Sequence, residues 1–282
     1  MRFAAKVLKT INKCFPLPVH PFNTQAEGGM RYSRWQYEKG AETIKFYLQF
    51  TDTDTMFKDK AVLDVGCGAG GKSLYYLSCG AEKVVGIDVV EYYKEEAENL
   101  AKELELEGFT FICQDAAKTD FADNSFDTVI MNDAMEHVAK PEAVLNEMKR
   151  ILKPGGRLYV NFPPYNHPYG AHLSDVIGIP WVQSFFSDKT LIEAYKDLVK
   201  DKPDGEERVA FRIGLDENGK EYFSYLNKMT IKRFNNIRKN IDFKSIYYHE
   251  APLRGFLKPF CKGFLREYFV KMVVCVFEKE KL

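Results

Sequence analysis

Acidic residues flank a glycine-rich stretch of the chain, and this combination indicates a ligand site. The stretch "DVGCGAGG", residues 64–71, follows a short apolar run. Glycines allow a sharp turn between a strand and a helix, and they let a ligand approach the backbone closely. Gly66, Gly68 and Gly71 have the GxGxxG spacing of dinucleotide-binding proteins. The glycines alone therefore leave the ligand open, and a tight packing corner without a ligand is the alternative.

Three acids favour S-adenosylmethionine over a dinucleotide. Asp64 precedes the first glycine by two residues, where it can attract the ammonium of a methionine moiety directly or through water but would repel a pyrophosphate. Asp88 ends the next apolar run, and its two oxygens can accept hydrogen bonds from both ribose hydroxyls; a helix N-cap is the alternative. Asp115, in "CQDA", can meet the adenine amino group. We expect Cys67 to be only a small residue beside the cofactor.

Methyl transfer from a sulfonium mainly requires an aligned acceptor and the exclusion of water. A general base is needed only when the acceptor is protonated at neutral pH, as a phenol or an alcohol is. His137 and Asp133 follow the fourth apolar run and are candidate bases, with a structural hydrogen bond to a neighbouring loop as the alternative for each. His167 and His172 are further candidates.

Aromatic residues near these candidates are expected to contact the acceptor or the cofactor. Tyr165 and Tyr169 lie in "NFPPYNHPYGAH", residues 161–172, a loop stiffened by proline, and packing against the following helix is the alternative. Tyr32 and Trp35 could cover the sulfonium, because aromatic faces attract cations. Ordinary packing of an N-terminal helix is the alternative for this pair.

Apolar runs alternate with helical patterns over the middle of the chain, which predicts a parallel sheet. The predicted strands are residues 61–65, 83–88, 109–115, 126–133 and 157–162, followed by 243–250 and 268–279. A helix is predicted over residues 37–50 with Tyr37, Ala41, Ile44 and Leu48 on one face. The predicted fold class is α/β, a Rossmann-like seven-stranded, mostly parallel sheet with helices on both faces. Its predicted segments are a helical cap at 1–58, the cofactor-binding core at 59–162, an insertion of short helices and loops at 163–228, and completion of the sheet at 229–282.

Five stretches in this order resemble the motifs of class I S-adenosylmethionine-dependent methyltransferases. They are "VLDVGCGAG", "GID", "CQDA", "FDTVIMNDAMEHV" and "EMKRILKPGGRLYV". The "EHV" and "LKPGG" stretches are similar to those of the small-molecule branch of this family, which includes quinone and natural-product methyltransferases. The resemblance implies that Gly66, Gly68 and Gly70 bind the cofactor, that the backbone near Asn132 contacts its methionine end, and that Ala116 lies near the adenine.

The Pro-Pro-Tyr of residues 163–165 is similar to a tetrapeptide of methyltransferases that act on nucleobase amino groups. In that family the tetrapeptide follows the fourth strand, whereas here it follows the fifth predicted strand. Phe162 also stands directly before the first proline, and Asn161 comes one place too early. The position of the Pro-Pro-Tyr therefore favours a loop that lines the binding site of a small-molecule acceptor over a nucleobase site.

Composition narrows the partners and the compartment. Lysine plus arginine and aspartate plus glutamate both total 40 in the 282 residues, which argues against nucleic-acid binding. The six cysteines form no metal-binding pattern, so we expect no metal and a reducing, cytoplasmic setting. The apolar runs are too short to span a membrane. Residues 1–20 read as a basic amphipathic helix that either packs on its own domain or contacts a membrane surface.

The sequence thus predicts an S-adenosylmethionine-dependent methyltransferase of a small, aromatic or amphipathic acceptor, with O- or C-methylation favoured over N-methylation. A nucleic-acid or protein methyltransferase is one alternative. A non-catalytic S-adenosylmethionine-binding protein is the other. The oligomeric state is left open.

Overall fold

The computed structural model describes residues 3–21, 23 and 29–281. The chain divides into two compact units. The first, here called the sheet unit, comprises Met30–Phe162, Ile231–Ala251 and Met272–Leu282. The other, here called the second unit, comprises Met1–Gly29, Pro163–Thr230 and Pro252–Lys271. The predicted cap at 1–58 is thus divided after Gly29, and residues 252–271 of the predicted final segment belong to the second unit.

The sheet unit is built on seven strands. They are β1 (Ala61–Val65), β2 (Lys83–Asp88), β3 (Phe109–Cys113), β4 (Phe126–Asn132), β5 (Leu152–Phe162), β6 (Lys244–Pro252) and β7 (Val270–Glu278). Their order is β3-β2-β1-β4-β5-β7-β6, with parallel pairing from β3 to β5 and antiparallel pairing of β7 with β5. Every residue of β1 is buried, which is typical of a parallel sheet covered on both faces. The predicted α/β, mostly parallel fold is confirmed.

Helices connect and cover these strands. They are Tyr32–Glu38, Gly40–Ile44, Thr53–Phe57, Gly71–Ser78, Tyr93–Glu103, Pro141–Ile151 and Ile231–Asn240. The register pairs Asp64 of β1 with Gly86 of β2 and with Ile130 of β4. The carboxyl ends of these three strands therefore lie at one edge of the sheet, which is where parallel α/β sheets bind ligands.

The predicted helix over residues 37–50 is wrong in its bounds and its face. The structure has two short helices, Tyr32–Glu38 and Gly40–Ile44, followed by turns. Ala41 and Leu48 are exposed, whereas Gly40 is buried. A Cβ added at Gly40 would lie 2.2 Å from the Tyr75 ring. Close packing against the helix Gly71–Ser78 selects this face, and small residues allow that packing.

The second unit contains helices and one short hairpin. Its helices are Phe3–Asn12, Val182–Phe185, Asp188–Val199, Gly205–Arg212 and Arg266–Phe269, with 3-10 turns at Gly255–Phe260 and Gly263–Leu265. Ile213–Leu215 pairs antiparallel with Glu221–Phe223. The prediction of short helices and loops at 163–228 did not include this hairpin, because each strand is only three residues long and shows no detectable alternation of apolar and polar residues.

The N-terminal helix Phe3–Asn12 packs within the second unit. Its Ala5 and Leu8 are fully buried in a core that includes Leu191 and Tyr195 of the helix Asp188–Val199. Lys9 also forms an ion pair with Asp197. Met1 and Arg2, which belong to the predicted amphipathic segment, lie outside the described residues. Within the described ranges, the helices lack the length and apolar character needed to cross a membrane.

A buried ionic cluster lies in the second unit. The Asp175 carboxylate is 0% exposed and accepts hydrogen bonds from Arg208 Nη1 at 3.1 Å and from the Tyr195 hydroxyl at 2.9 Å. Arg212 Nη2 lies 3.3 Å from Asp175 Oδ1, and Arg212 Nη1 donates to the Tyr195 hydroxyl at 2.5 Å. Burial of these charges is compensated by pairing, as buried ions require.

Candidate active site

The glycine turn between β1 and the helix Gly71–Ser78 has an unusual backbone. Gly66, Gly68 and Gly70 adopt φ angles of 72°, 54° and 73°, in the left-handed region that L side chains rarely occupy. A Cβ added at Gly68 would lie 3.0 Å from Gln36 Nε2 and 3.5 Å from a carbon of the Tyr32 ring. The absence of a side chain at Gly68 thus lets the helix Tyr32–Glu38 pack closely on the turn.

Gln36 holds the helix Tyr32–Glu38 against this turn. Its Oε1 accepts a hydrogen bond from the Gly71 backbone at 3.3 Å, and its Nε2 donates to the Cys67 carbonyl at 3.4 Å. Gly71 permits this approach, because a Cβ there would lie 1.9 Å from the Ser33 carbonyl oxygen. Gln36 is a site residue that the sequence prediction missed. Its polar side chain on a buried helical face, with Ser33 and Gly40, was the available signal.

Two of the predicted cofactor-covering aromatics lie together beside the turn. The rings of Tyr32 and Trp35 are stacked with centroids 6.1 Å apart. Tyr32 also lies 6.0 Å from the ring of Tyr93, which belongs to a small core with Cys67 and Ala69 of the turn. This arrangement places an aromatic surface next to the glycines in the sheet unit.

Asp64 is buried at the end of β1 with a hydroxyl partner. It is 2% exposed, and its Oδ2 accepts a hydrogen bond from Ser73 Oγ at 2.6 Å. Burial raises the pKa of Asp64 to about 6, and the Ser73 hydrogen bond acts in the opposite direction. A cationic ligand group would favour the charged carboxylate. Asp64 can therefore gain a favourable interaction that it lacks with Ser73 alone.

Asp88 fixes the turn and still has acceptor capacity. Its Oδ2 accepts a hydrogen bond from the Gly68 backbone at 2.9 Å, and its Oδ1 accepts one from Val90 at 3.0 Å. Burial raises the pKa of Asp88, while these backbone donors act to lower it. A carboxylate can accept about four hydrogen bonds, so each oxygen can also accept a ribose hydroxyl.

The third predicted acid lies on the surface after β3. Asp115 is exposed, and its Oδ1 accepts a hydrogen bond from the Ala117 backbone at 2.8 Å. Ala116 is 8% exposed. The adenine contacts of Asp115 and Ala116 stay predictions.

Neutral side chains form a buried network at the ends of β4 and β5. Asn132 Oδ1 accepts hydrogen bonds from Tyr47 at 2.7 Å and from Asn161 Nδ2 at 2.8 Å, and Asn132 Nδ2 donates to the Tyr76 hydroxyl at 2.7 Å. The Asp133 backbone N–H donates to the Asn161 carbonyl at 3.1 Å. Asn161, which the sequence prediction did not place in the site, thus orients the residue that follows β4. An amide inside an otherwise apolar strand was its sequence signal.

The residues after β4 carry ionisable groups. Asp133 has a φ of 51° and an exposed side chain that accepts a hydrogen bond from Lys72 Nζ at 3.1 Å. Burial, followed by the charge of Asp133, raises the pKa of Glu136 well above its usual value. The His137 side chain is 35% exposed, with its Nε2 3.9 Å from Glu136 Oε1. Asp133 and His137 are therefore accessible to a ligand in the sheet unit.

The other predicted acceptor-side residues lie in the second unit, on a loop with internal hydrogen bonds. The His167 backbone donates to the Pro164 carbonyl at 2.8 Å, and His167 Nδ1 accepts a hydrogen bond from the Tyr169 backbone at 3.2 Å. Burial lowers the pKa of His167 to about 4, and Lys271 contributes. Burial raises the pKa of Tyr165 to about 12. The His172 carbonyl accepts hydrogen bonds from Arg212 Nε at 3.1 Å and from Tyr225 at 2.9 Å.

Comparisons with known proteins find relatives for part of the sheet unit. Residues 63–160 match the family described as "Methyltransferase domain". A ubiquinone biosynthesis O-methyltransferase of Coxiella burnetii is 31% identical over 135 residues, which cover 48% of this chain and 56% of the relative. A sterol 24-C-methyltransferase of Neurospora crassa is 38% identical over 100 residues, which cover 35% of this chain and 26% of the relative. The chain thus spans little more than half of the first relative and about a quarter of the second.

Solved structures share the fold at low sequence identity. The 4+2 cyclase SpnF aligns with a TM-score of 0.57 at 16% identity, covering 98% of this chain and 97% of that chain. A structure described as an S-adenosylmethionine-dependent methyltransferase of Methanosarcina mazei aligns with a TM-score of 0.52 at 21% identity, covering 84% and 98%. The name of the cyclase illustrates that the fold alone does not fix the reaction.

Residues 63–160 thus match a methyltransferase domain and lie on a Rossmann-like sheet, and the comparisons support S-adenosylmethionine as the cofactor. The structure fits this cofactor. Asp88 keeps acceptor capacity beside the glycine turn, and the buried Asp64 favours a cationic partner.

Proposed function

We propose that the chain transfers a methyl group to a small, aromatic or amphipathic acceptor, with O- or C-methylation favoured over N-methylation. The observation that carries the proposal is the glycine turn, where Asp64 and Asp88 offer carboxylates near the carboxyl ends of β1 and β2. The curated relatives named for ubiquinone O-methylation and sterol C-methylation support a small acceptor. The equal totals of acidic and basic residues support it over a polyanionic substrate.

In this proposal the chain positions the reactants and bound S-adenosylmethionine supplies an already activated methyl group. Asp88 binds the ribose hydroxyls and Asp64 attracts the ammonium. The glycines of the turn let the cofactor approach the backbone. The Asn132–Asn161 network fixes the backbone of Asp133 next to the methionine end. Alignment of this kind is the main requirement of a displacement at a sulfonium.

A proton must leave the acceptor only if it is an alcohol or a phenol. We propose His137 or Asp133 as the group that accepts it, because both are accessible in the sheet unit. His167 is a weaker base, since burial lowers its pKa to about 4. The acceptor-binding and base roles of Tyr165, His167, Tyr169 and His172 stay predictions.

Peripheral membrane contact through residues 1–20 also stays a prediction. Leu8 and Ala5 of the helix are used in the core of the second unit, as the alternative of packing on its own domain expects. Phe3 and Val19 remain 83% and 86% exposed, so they are the side chains that such a contact would use.

The cofactor site is tested by calorimetric titration with S-adenosylmethionine. Asp88→Ala should weaken binding by about 1–3 kcal/mol, because two hydrogen bonds to a charged acceptor are lost. Asp242→Ala is the matched control, since its side chain is fully exposed and pairs with Lys149 at the surface. Equal affinities of the Asp88→Ala variant and the unchanged protein would contradict the proposed site. The acceptor is then sought by incubating metabolite extracts with labelled cofactor and identifying the labelled product by mass.

A further inference from the structure

The segment Pro252–Lys271 of the second unit exposes large apolar side chains. Phe256 and Phe264 are 72% and 73% exposed, Phe260 is 47% exposed, and Leu265 is 36% exposed. These four residues are here called the phenylalanine patch. All four stand within residues 256–265, and exposed apolar side chains that are close together mark contact surfaces more often than scattered ones do.

Hydrogen bonds within the second unit hold the segment that carries the phenylalanine patch. The Leu253 backbone donates to the Phe269 carbonyl at 2.9 Å, and Cys261 Sγ donates to the same carbonyl at 3.3 Å. Trp181 Nε1 donates to the Tyr268 carbonyl at 3.2 Å. The phenylalanines therefore project from two 3-10 turns, Gly255–Phe260 and Gly263–Leu265, that are held by hydrogen bonds within the second unit.

Basic residues alternate with these aromatic residues. Arg254, Lys258 and Lys262 are exposed and stand at intervals of four residues between the phenylalanines. The sequence has no acidic residue between Glu250 and Glu267. The formal charge of the chain is zero, so this segment is a local concentration of positive charge.

We propose that the phenylalanine patch and its flanking cations bind the surface of an anionic lipid bilayer. Aromatic side chains partition into the boundary between headgroups and acyl chains, and lysine and arginine are attracted to anionic headgroups at the same depth. Long basic side chains can keep their charge in the headgroup layer while their stems lie along apolar surface. This binding goes beyond methyl transfer and does not depend on it.

Charge argues against a second copy of the chain as the occupant. In a two-fold interface the same patch faces itself, which would bring Arg254, Lys258 and Lys262 of both copies close together. Like charges at an interface are unfavourable. An anionic bilayer satisfies both the phenyl rings and the cations.

Vesicle sedimentation of the full chain tests the proposal. Vesicles of phosphatidylcholine with about a third phosphatidylglycerol should bind the unchanged protein at least about tenfold better than phosphatidylcholine alone. The double variant Phe256→Ser, Phe264→Ser should lose about tenfold of that binding. Phe185→Ser is the matched control, because Phe185 is 73% exposed in the second unit outside the patch. Circular dichroism of each variant confirms that it is folded.

Three results would overturn the proposal. The first is equal vesicle binding by the double variant and the control. The second is loss of binding in Phe3→Ser, Val19→Ser while the patch variant still binds, which would assign the contact to residues 1–20. The third is a change in self-association, measured by sedimentation velocity, without a change in vesicle binding. Failure of methyl transfer leaves the vesicle readout unaffected, so the two proposals fail independently.

Discussion

Each unit buries an aspartate, and the two carboxylates have opposite surroundings. Asp64 of the sheet unit is 2% exposed and has the Ser73 hydroxyl as a hydrogen-bond donor. Asp175 of the second unit is 0% exposed and lies between the guanidinium groups of Arg208 and Arg212. Among the residues that the structure describes, the first carboxylate has no cationic partner at hydrogen-bond distance, and the other has two.

From this difference we propose a binding role for Asp64 and a stabilising role for Asp175. The buried charge of Asp175 is compensated within the protein, and it joins helices and loops that are distant in sequence. Asp64 has a raised pKa because folding removes water without supplying an equivalent cation. A buried carboxylate of that kind destabilises the folded protein at neutral pH and is available to a cationic ligand, as expected of functional sites.

Removing Asp175 should give the largest effect. Asp175→Ala removes the buried carboxylate that Arg208 and Arg212 share, while Arg208 keeps its ion pair with Asp204, so the free energy of unfolding should fall by about 3–5 kcal/mol. Chemical denaturation measures this loss. Asp201→Ala, an exposed aspartate of the same unit, is the control and should change stability by less than about 0.5 kcal/mol. A loss below about 1 kcal/mol at Asp175 would mean that the ionic cluster is not a stabilising element.

Replacing Asp64 should raise the free energy of unfolding, whereas replacing Asp175 should lower it. The folded pKa of about 6 lies above the usual 3.8. The protonated Asp64 side chain therefore makes its full contribution to stability below about pH 4, and this contribution is lost as the pH rises from 4 to 6. Asp64→Asn avoids that loss and should be more stable than the unchanged protein by about 3 kcal/mol at pH 7, with no difference near pH 4. Denaturation curves at both pH values test this. A destabilised Asp64→Asn protein at pH 7 would contradict the comparison.

The same substitution should weaken the binding of the cofactor. A neutral amide cannot attract an ammonium as a carboxylate does, so Asp64→Asn should lower the affinity for S-adenosylmethionine while raising stability. Calorimetry and denaturation on one preparation would show both changes. Unchanged affinity together with raised stability would remove the ammonium role and leave the pKa argument intact.

A smaller effect of pH is expected from His20 in the second unit. Burial lowers its pKa from 6.5 to about 4, while the charge of Asp175 acts in the opposite direction. A base with a lowered pKa contributes stability that is present above pH 6.5 and is lost as the pH falls toward 4. At pH 5 the loss is about 2 kcal/mol, and His20→Gln should not show it. An unchanged pH profile in the His20→Gln variant would contradict this prediction.

The sequence alone was sufficient to locate the strands within residues 61–162 and the glycine turn, whereas β5 begins at Leu152, five residues before its predicted start. Buried strands such as "AVLDV" and the acids that follow them are local patterns, and their order along the chain carries the family resemblance. The sharp turn could be predicted from Gly66, Gly68 and Gly70, because few other residues adopt their backbone angles. Local conformational preference and local chemistry therefore determined the fold class and the cofactor.

Only the tertiary structure decided the supporting residues. Gln36 reaches the turn and Asn161 reaches Asn132 through contacts between segments that are far apart in sequence. The buried face of residues 32–47 depends on how closely Gly40 and Gly71 let two helices approach. Asp175 meets Arg208 and Arg212 in a region without regular periodicity. Hydrogen bonds and ion pairs of this kind depend on distance in space, which a pattern along the chain does not contain.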